Sequence, residues 1–230
     1  MHVQSPTSRY PFLDQIRGFA VFLMIIFHAC YDLTLFGFMN ADFQNNLFWW
    51  SFPRVIVFLF LISVGLGLAL SHTPKIKWNS FWKRFLKISS LAALISISTF
   101  FLFPDRWIYF GTLHCIALTS LMALPFRNWP WVSLVVAALL IIPSAFFSWD
   151  LPWISLPHKS MDYIPAFPWL GVVLIGLFAW HKNVHKWPAI WPKKLALLTT
   201  MGRYSLWIYL LHQPIIYLLV FGLNQLLSKH

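Results

Sequence analysis

Long apolar runs, separated by short stretches of basic and aromatic residues, pattern the chain almost from end to end. A membrane-spanning helix needs about 20 mostly apolar residues. Runs of that kind predict spans at 16–38, 52–71, 86–103, 109–126, 130–147, 166–181 and 203–227. The fold class that follows is all-α: a polytopic membrane helix bundle of about seven transmembrane helices. It is read as one domain over residues 1–230, with no soluble domain, low-complexity tract or repeat.

The polar positions between the runs orient the bundle. Arg9, Arg17, Lys75, Lys77, Lys83, Arg84, Lys87, Arg127, Lys182, Lys186, Lys193, Lys194 and Arg203 fall on one side. Arg106, Lys159 and Lys229 fall on the other, with Arg54 just inside the second span. Basic residues concentrate in cytoplasmic loops, so this asymmetry puts the N-terminus in the cytoplasm. Tryptophans flank the spans at both levels, among them Trp49, Trp50, Trp107 and Trp149 outside and Trp78, Trp82, Trp187 and Trp191 inside. Such residues form interfacial belts.

Composition agrees with this picture. Of 230 residues, 59% are hydrophobic and 10% charged, where soluble domains carry roughly a quarter charged residues. The net charge of +11 is scattered between apolar runs and forms no continuous patch, so no nucleic-acid partner is expected. Cys30 and Cys115 both lie inside apolar runs and read as packing residues, not as a disulfide framework or zinc site. No small-residue cleavage site follows the first run, so it is read as a span and not as a signal peptide.

Ionisable groups at membrane depth are costly and mark functional sites. The first span carries Arg17, His28 and Asp32. At about 100° per residue, Arg17 and His28 are roughly 20° apart on the helical wheel, and Asp32 is about 40° further round. Asp14, Met24 and Tyr31 share that stripe, which is expected to face protein. His28 lies roughly 16 Å above Arg17, near the middle of an apolar core about 30 Å thick. The same rise places His212 and His114 at a similar level, and Asp32 and Arg54 both in the outer third, where they would pair. His2, His158, His181, His185 and His230 fall near termini or in loops and are expected to be solvated, with His72 at the inner interface.

These residues resemble a family. LDQIRGFAVFLMIIFH (13–28) is similar to the Arg-ten-residues-His signature of the transmembrane acyltransferase superfamily. FGTLHCIALTSLMALPF (110–126), MDYIPAFPWLGVVLIGLF (161–178) and GRYSLWIYLLHQPI (202–215) resemble segments of its heparan-alpha-glucosaminide N-acetyltransferase catalytic-domain branch, in a short bacterial form. The resemblance implies transfer of an acyl group, usually acetyl, from cytosolic acyl-CoA to an acceptor across the membrane. It implies acetyl-CoA as donor, no metal, and residence in a bacterial cytoplasmic (inner) membrane. In the lysosomal members the proposed catalytic His lies in a loop, whereas His28 lies within a predicted helix. A bacterial envelope sugar or lipid-linked amine is therefore the expected acceptor, not heparan sulfate.

The expected mechanism has His28 as general base, Asp32 orienting its imidazole, and His212 or His114 donating to the oxyanion. Arg17, Lys83, Arg84 and Arg203 would meet the polyanionic CoA, with Arg17 equally able to pair with Asp14. Arg54 and Asp162 lie on the acceptor side. The residues leave open direct transfer against an acetyl-histidine intermediate, and a monomer against a homodimer. Two rival readings use the same side chains: a proton-coupled transporter, and a metal bound by the three histidines.

Overall fold

The computed structural model describes residues 10–43, 45–188, 190 and 196–228. His2, Arg9, Trp191, Lys193, Lys194, Lys229 and His230 lie outside the described residues. Eight α-helices follow in order: α1 Pro11–Leu35, α2 Leu47–His72, α3 Trp78–Leu102, α4 Thr112–Ala123, α5 Pro130–Phe147, α6 Ala166–His181, α7 Ala196–Arg203 and α8 Ser205–Leu227. Among the described residues there is no strand, and the all-α expectation holds.

Each expected span coincides with a helix, but the helices differ in reach. Five of them, α1, α2, α3, α5 and α8, are long and apolar enough to cross a membrane. α6 has 16 residues and α4 has 12. Proline explains the shortening. Pro125 has no amide proton to extend α4, and the chain tightens there into a 3₁₀ turn at Leu124–Asn128. α6 starts after Pro165, and Phe167, before Pro168, is non-helical. α1 starts five residues earlier than expected, on Pro11 at its first turn, and ends before Gly37, whose φ of 80° suits glycine.

Many large apolar side chains lie on the surface, including Phe101 at 77%, Phe146 at 78% and Leu139 at 67% exposure. A water-soluble surface rarely carries so many large, exposed apolar side chains. With the five long apolar helices, this makes the chain an integral membrane protein.

The chain divides into two compact units, Met1–Phe60 with Lys186–His230, and Leu61–His185. In the first, Ala20, Val21 and Met24 of α1 pack with Ile56 and Phe60 of α2, and Met201, Ile208 and Tyr209 close over them. α7 meets α1 backbone to backbone. A Cβ on Gly18 would lie 1.8 Å from the Leu198 carbonyl oxygen, and one on Gly202 would lie 1.8 Å from that of Asp14. Small residues let membrane helices approach in this way.

The second unit uses the same device between α2 and α6. A Cβ on Gly65 would meet the Val173 carbonyl at 2.0 Å, and one on Gly176 that of Ile62 at 2.4 Å. Two histidines expected at or beyond the membrane surface are buried in this unit. His72 is 2% exposed, accepts the Lys77 amide proton at Nδ1 (3.3 Å) and meets the Phe81 ring edge-on. His185 is 4% exposed and stacks on Trp180. Aromatic neighbours cover both rings, which loop position alone does not reveal.

Candidate active site

On α1, the residues that face inward recur every three or four positions: Val21, Met24 and Asp32 are buried, with His28 half-buried between them. Tyr31 departs from the expected stripe. It is 40% exposed and its ring lies against Phe43. On α8, Ile208 and Tyr209 join the core, and one turn later His212 and Gln213 occupy the same faces. Two pairs therefore meet between α1 and α8. The His28 and His212 rings are 4.8 Å apart at 61°. The Gln213 carboxamide donates from Nε2 to both Asp32 oxygens, at 3.2 and 3.3 Å.

Hydrogen bonding fixes the state of His212. Its Nδ1 faces the backbone carbonyls of Tyr209 (2.8 Å) and Ile208 (3.2 Å). Carbonyls only accept, so Nδ1 carries the proton, and in the neutral ring Nε2 holds a lone pair. That Nε2 is buried and has no hydrogen-bond partner among the described residues. A buried acceptor without a donor is costly, and it is where a bound hydrogen donor gains most. His28 has no hydrogen bond among the described residues, so its ring is held only by aromatic contacts with His212 and Phe27.

The expected Asp32–Arg54 pair does not form. Arg54 turns onto its own helix, donating to the Trp50 carbonyl at 2.5 Å with its guanidinium 3.6 Å from the Trp50 ring centre. A carbonyl one turn back and an aromatic face lie within its own reach, while Asp32 is 1% exposed and satisfied by Gln213. Asp32 likewise holds the carboxamide and makes no hydrogen bond with His28 among the described residues.

At the other end of this unit, the close approach of α1 and α7 gathers charge. Asp14 lies 3.7 Å from Arg17 and 3.8 Å from Arg203. One carboxylate between two guanidinium groups leaves a net positive centre. The Arg17 side chain is 26% exposed and that of Arg203 47%, so donors remain open to an anion.

The unit Leu61–His185 holds the other expected residues. The Gly111 amide donates to Nδ1 of His114 (3.2 Å), so that ring carries its proton on Nε2. Nε2 then donates to Ser96 Oγ (3.1 Å), and Ser96 donates on to the Ile108 carbonyl (2.6 Å). Both ring nitrogens of His114 are thus committed to holding the start of α4 against α3. Asp162 completes the same corner by accepting from the Thr112 amide (2.8 Å) and hydroxyl (3.2 Å). A carboxylate at a helix N-terminus complements the helix dipole. Gly111 is what admits it, since a Cβ there would lie 2.5 Å from Asp162 Oδ2.

Asp162→Ala is expected to cost about 1–2 kcal/mol, the usual price of a lost cap. A thermal midpoint in detergent equal to that of the wild type contradicts the capping role. Around this corner His158 stacks on Trp107, and Tyr163 donates to the Ile154 carbonyl at 2.8 Å. Burial, and then the neighbouring Tyr109, raise the Tyr163 hydroxyl above its ordinary pKa and keep it a donor. Lys83 is exposed on α3, and Arg84 lines an apolar hollow with Leu68, Phe81, Phe85, Ile88, Ala117 and Ser120.

A model of the family described as "Heparan-alpha-glucosaminide N-acetyltransferase, catalytic" matches residues 9–214. The chain belongs to that family. The match takes in α1 through the first half of α8 and includes every residue of the α1–α8 cluster. No curated protein and no solved structure matches the chain. As a member of the heparan-alpha-glucosaminide N-acetyltransferase family it is a membrane acetyltransferase in class. Among the described residues no group of three or more His, Cys, Asp or Glu side chains is arranged to hold a metal ion.

Sequence reasoning missed Gln213. A glutamine in an apolar run carries no charge and no strong prior. The signal was its spacing: one residue after His212, it lies on the α8 face that approaches Asp32, as His212 lies on the face that approaches His28.

Proposed function

We propose that the protein moves an acetyl group from acetyl-CoA, bound from the cytosolic side, to an amine or hydroxyl of a sugar-like acceptor on the extracytoplasmic side, at the His28–His212 pair. One observation carries the reading: His212 has Nδ1–H turned to backbone carbonyls and an unpartnered, buried Nε2 beside the His28 ring. In that tautomer His212 is a base, not an oxyanion donor. It takes the proton as the acceptor attacks the thioester carbon, and returns it to the departing CoA thiolate. His28, whose nitrogens are uncommitted among the described residues, donates to the developing oxyanion or shares the base role. His114 holds α4 and stays out of the chemistry, because both its nitrogens are bonded.

The positive centre at Arg17, Asp14 and Arg203 suits the phosphates of the donor. Lys83 and Arg84, which the sequence also reads as cytosolic, belong to the Leu61–His185 unit and are candidates for an anionic ligand on their own account. Arg54, exposed on its tryptophan, is the acceptor-side candidate, and Asp162 serves α4. Arg203→Gln is expected to raise the KM for acetyl-CoA about tenfold, the value of a charge-assisted hydrogen bond, with kcat little changed. Equal KM values contradict this assignment.

The test of the reading is CoA release from acetyl-CoA by the purified protein, in lipid nanodiscs, with octyl glucosaminide as acceptor probe. Release that depends on the glucosaminide supports it. Absence of release and of acetylated product overturns it.

A further inference from the structure

Gln213 is the least explained polar side chain in the cluster. Its amide has one hydrogen-bonding end satisfied and one not. Nε2 donates to both oxygens of Asp32, the orientation that suits a carboxylate acceptor. Oε1 is then left buried, with no partner among the described residues. Its neighbour in sequence, His212, presents a second buried acceptor in the same condition. Two buried lone-pair atoms on residues adjacent in sequence, each lacking a donor among the described residues, call for ligand groups that carry hydrogens. The nucleophile of an acyl transfer is such a group, whether amine or hydroxyl.

We infer that Asp32 and Gln213 form a bracket across α1 and α8 that orients the acceptor: Asp32 fixes the carboxamide, and Gln213 Oε1 accepts a hydrogen from the nucleophilic amine or hydroxyl while His212 Nε2 faces it. This rests on the reading given above and adds the residues that select the acceptor. Gln213 is a binding residue for the acceptor, and Asp32 is a positioning residue acting through Gln213. A glutamine oxygen accepts from N–H or O–H but gives no hydrogen to an ether or a thioether, so the bracket rejects acceptors that lack a hydrogen on the attacking atom. Asp32 thereby has a use that requires no contact with His28, and the carboxamide gives its buried carboxyl a donor.

The experiment measures steady-state transfer from acetyl-CoA to octyl glucosaminide and to octyl glucoside, for the full chain in nanodiscs. Gln213→Met keeps the side-chain length and removes the acceptor atom. It is expected to raise KM for whichever probe the wild type uses by about three- to tenfold, the loss of one hydrogen bond, while KM for acetyl-CoA stays within twofold. Asp32→Asn is expected to raise the same KM less, because its side-chain oxygen still accepts from the carboxamide. Asp32→Leu should match Gln213→Met, and the Asp32→Leu/Gln213→Met double variant should be no worse than either alone, since both break one bracket.

An unchanged acceptor KM in Gln213→Met, or effects of the two sites that multiply, overturns the inference. So does a rise in the KM for acetyl-CoA alone. If Asp32→Leu does not fold, Gln213→Met and Asp32→Asn decide the matter by themselves. Loss of transfer in His212→Ala with an unaltered acceptor KM in Gln213→Met sinks the bracket and spares the proposed function. No transfer to either probe by the wild type sinks both.

Discussion

Replacing His212 with alanine is expected to lower kcat for acetyl transfer by about 10²–10⁴-fold, the usual contribution of a positioned general base. The donor KM should stay near that of the wild type, because the cationic centre at Arg17, Asp14 and Arg203 is built by α1 and α7 and does not include His212. His212→Asn is a sharper version of the same test. Asparagine offers polar atoms but cannot accept a proton at neutral pH, so it should not restore activity. Purified variants assayed for CoA release at saturating acetyl-CoA give the answer, and wild-type turnover in either variant removes His212 from the reaction.

The second large effect concerns the fold that brings the site together. Gly18→Leu and Gly202→Leu would each drive a side chain into the backbone of the partner helix, where even a Cβ meets a carbonyl oxygen at 1.8 Å. The far end of a flexible side chain could yield, but a helix backbone cannot without moving the helix. The cost is expected to reach about 3 kcal/mol or more, at or above the upper end for overpacked sites. The same displacement separates Arg203 from Asp14, so the proposed donor site should be lost with the packing. Gly222→Ala is the control, because nothing lies within 4 Å of a Cβ there. Size-exclusion profiles and thermal midpoints in detergent should show the two leucine variants aggregated or strongly destabilised and Gly222→Ala unchanged. Monodisperse, wild-type-like leucine variants would contradict the account of α1 and α7.

The helices were legible because membrane spans obey a length and hydropathy rule that local sequence satisfies on its own. All seven expected runs carry a helix, and α4 and α6 fall short where Pro125 and Pro165 interrupt the backbone. The His28–Asp32 stripe was legible for a similar reason: helical periodicity places residues four apart on one face. What such periodicity does not carry is the partner helix. Asp32 was expected to meet Arg54, because two opposite charges at one depth are the strongest pair that sequence offers. It meets Gln213 instead, since α8 packs on α1 there and Arg54 finds a carbonyl and an aromatic face on its own helix. The bonding of His114 was hidden for the same reason. Depth suggested a reactive imidazole, while its two hydrogen bonds depend on a glycine amide and on a serine from α3.

The central claim is that the acetyl group changes hands at the His28–His212 pair. Bromoacetyl-CoA, which alkylates a nucleophile next to its acyl carbon, tests it most directly. The protein in nanodiscs, carrying Cys30→Ala to remove a thiol two residues from His28, is treated with the reagent and mapped by peptide mass spectrometry. The account predicts modification of His212 or His28, suppressed by acetyl-CoA and absent from the corresponding alanine variant. Labelling confined to His114 or to the loop lysines, with both members of the pair untouched, would contradict it.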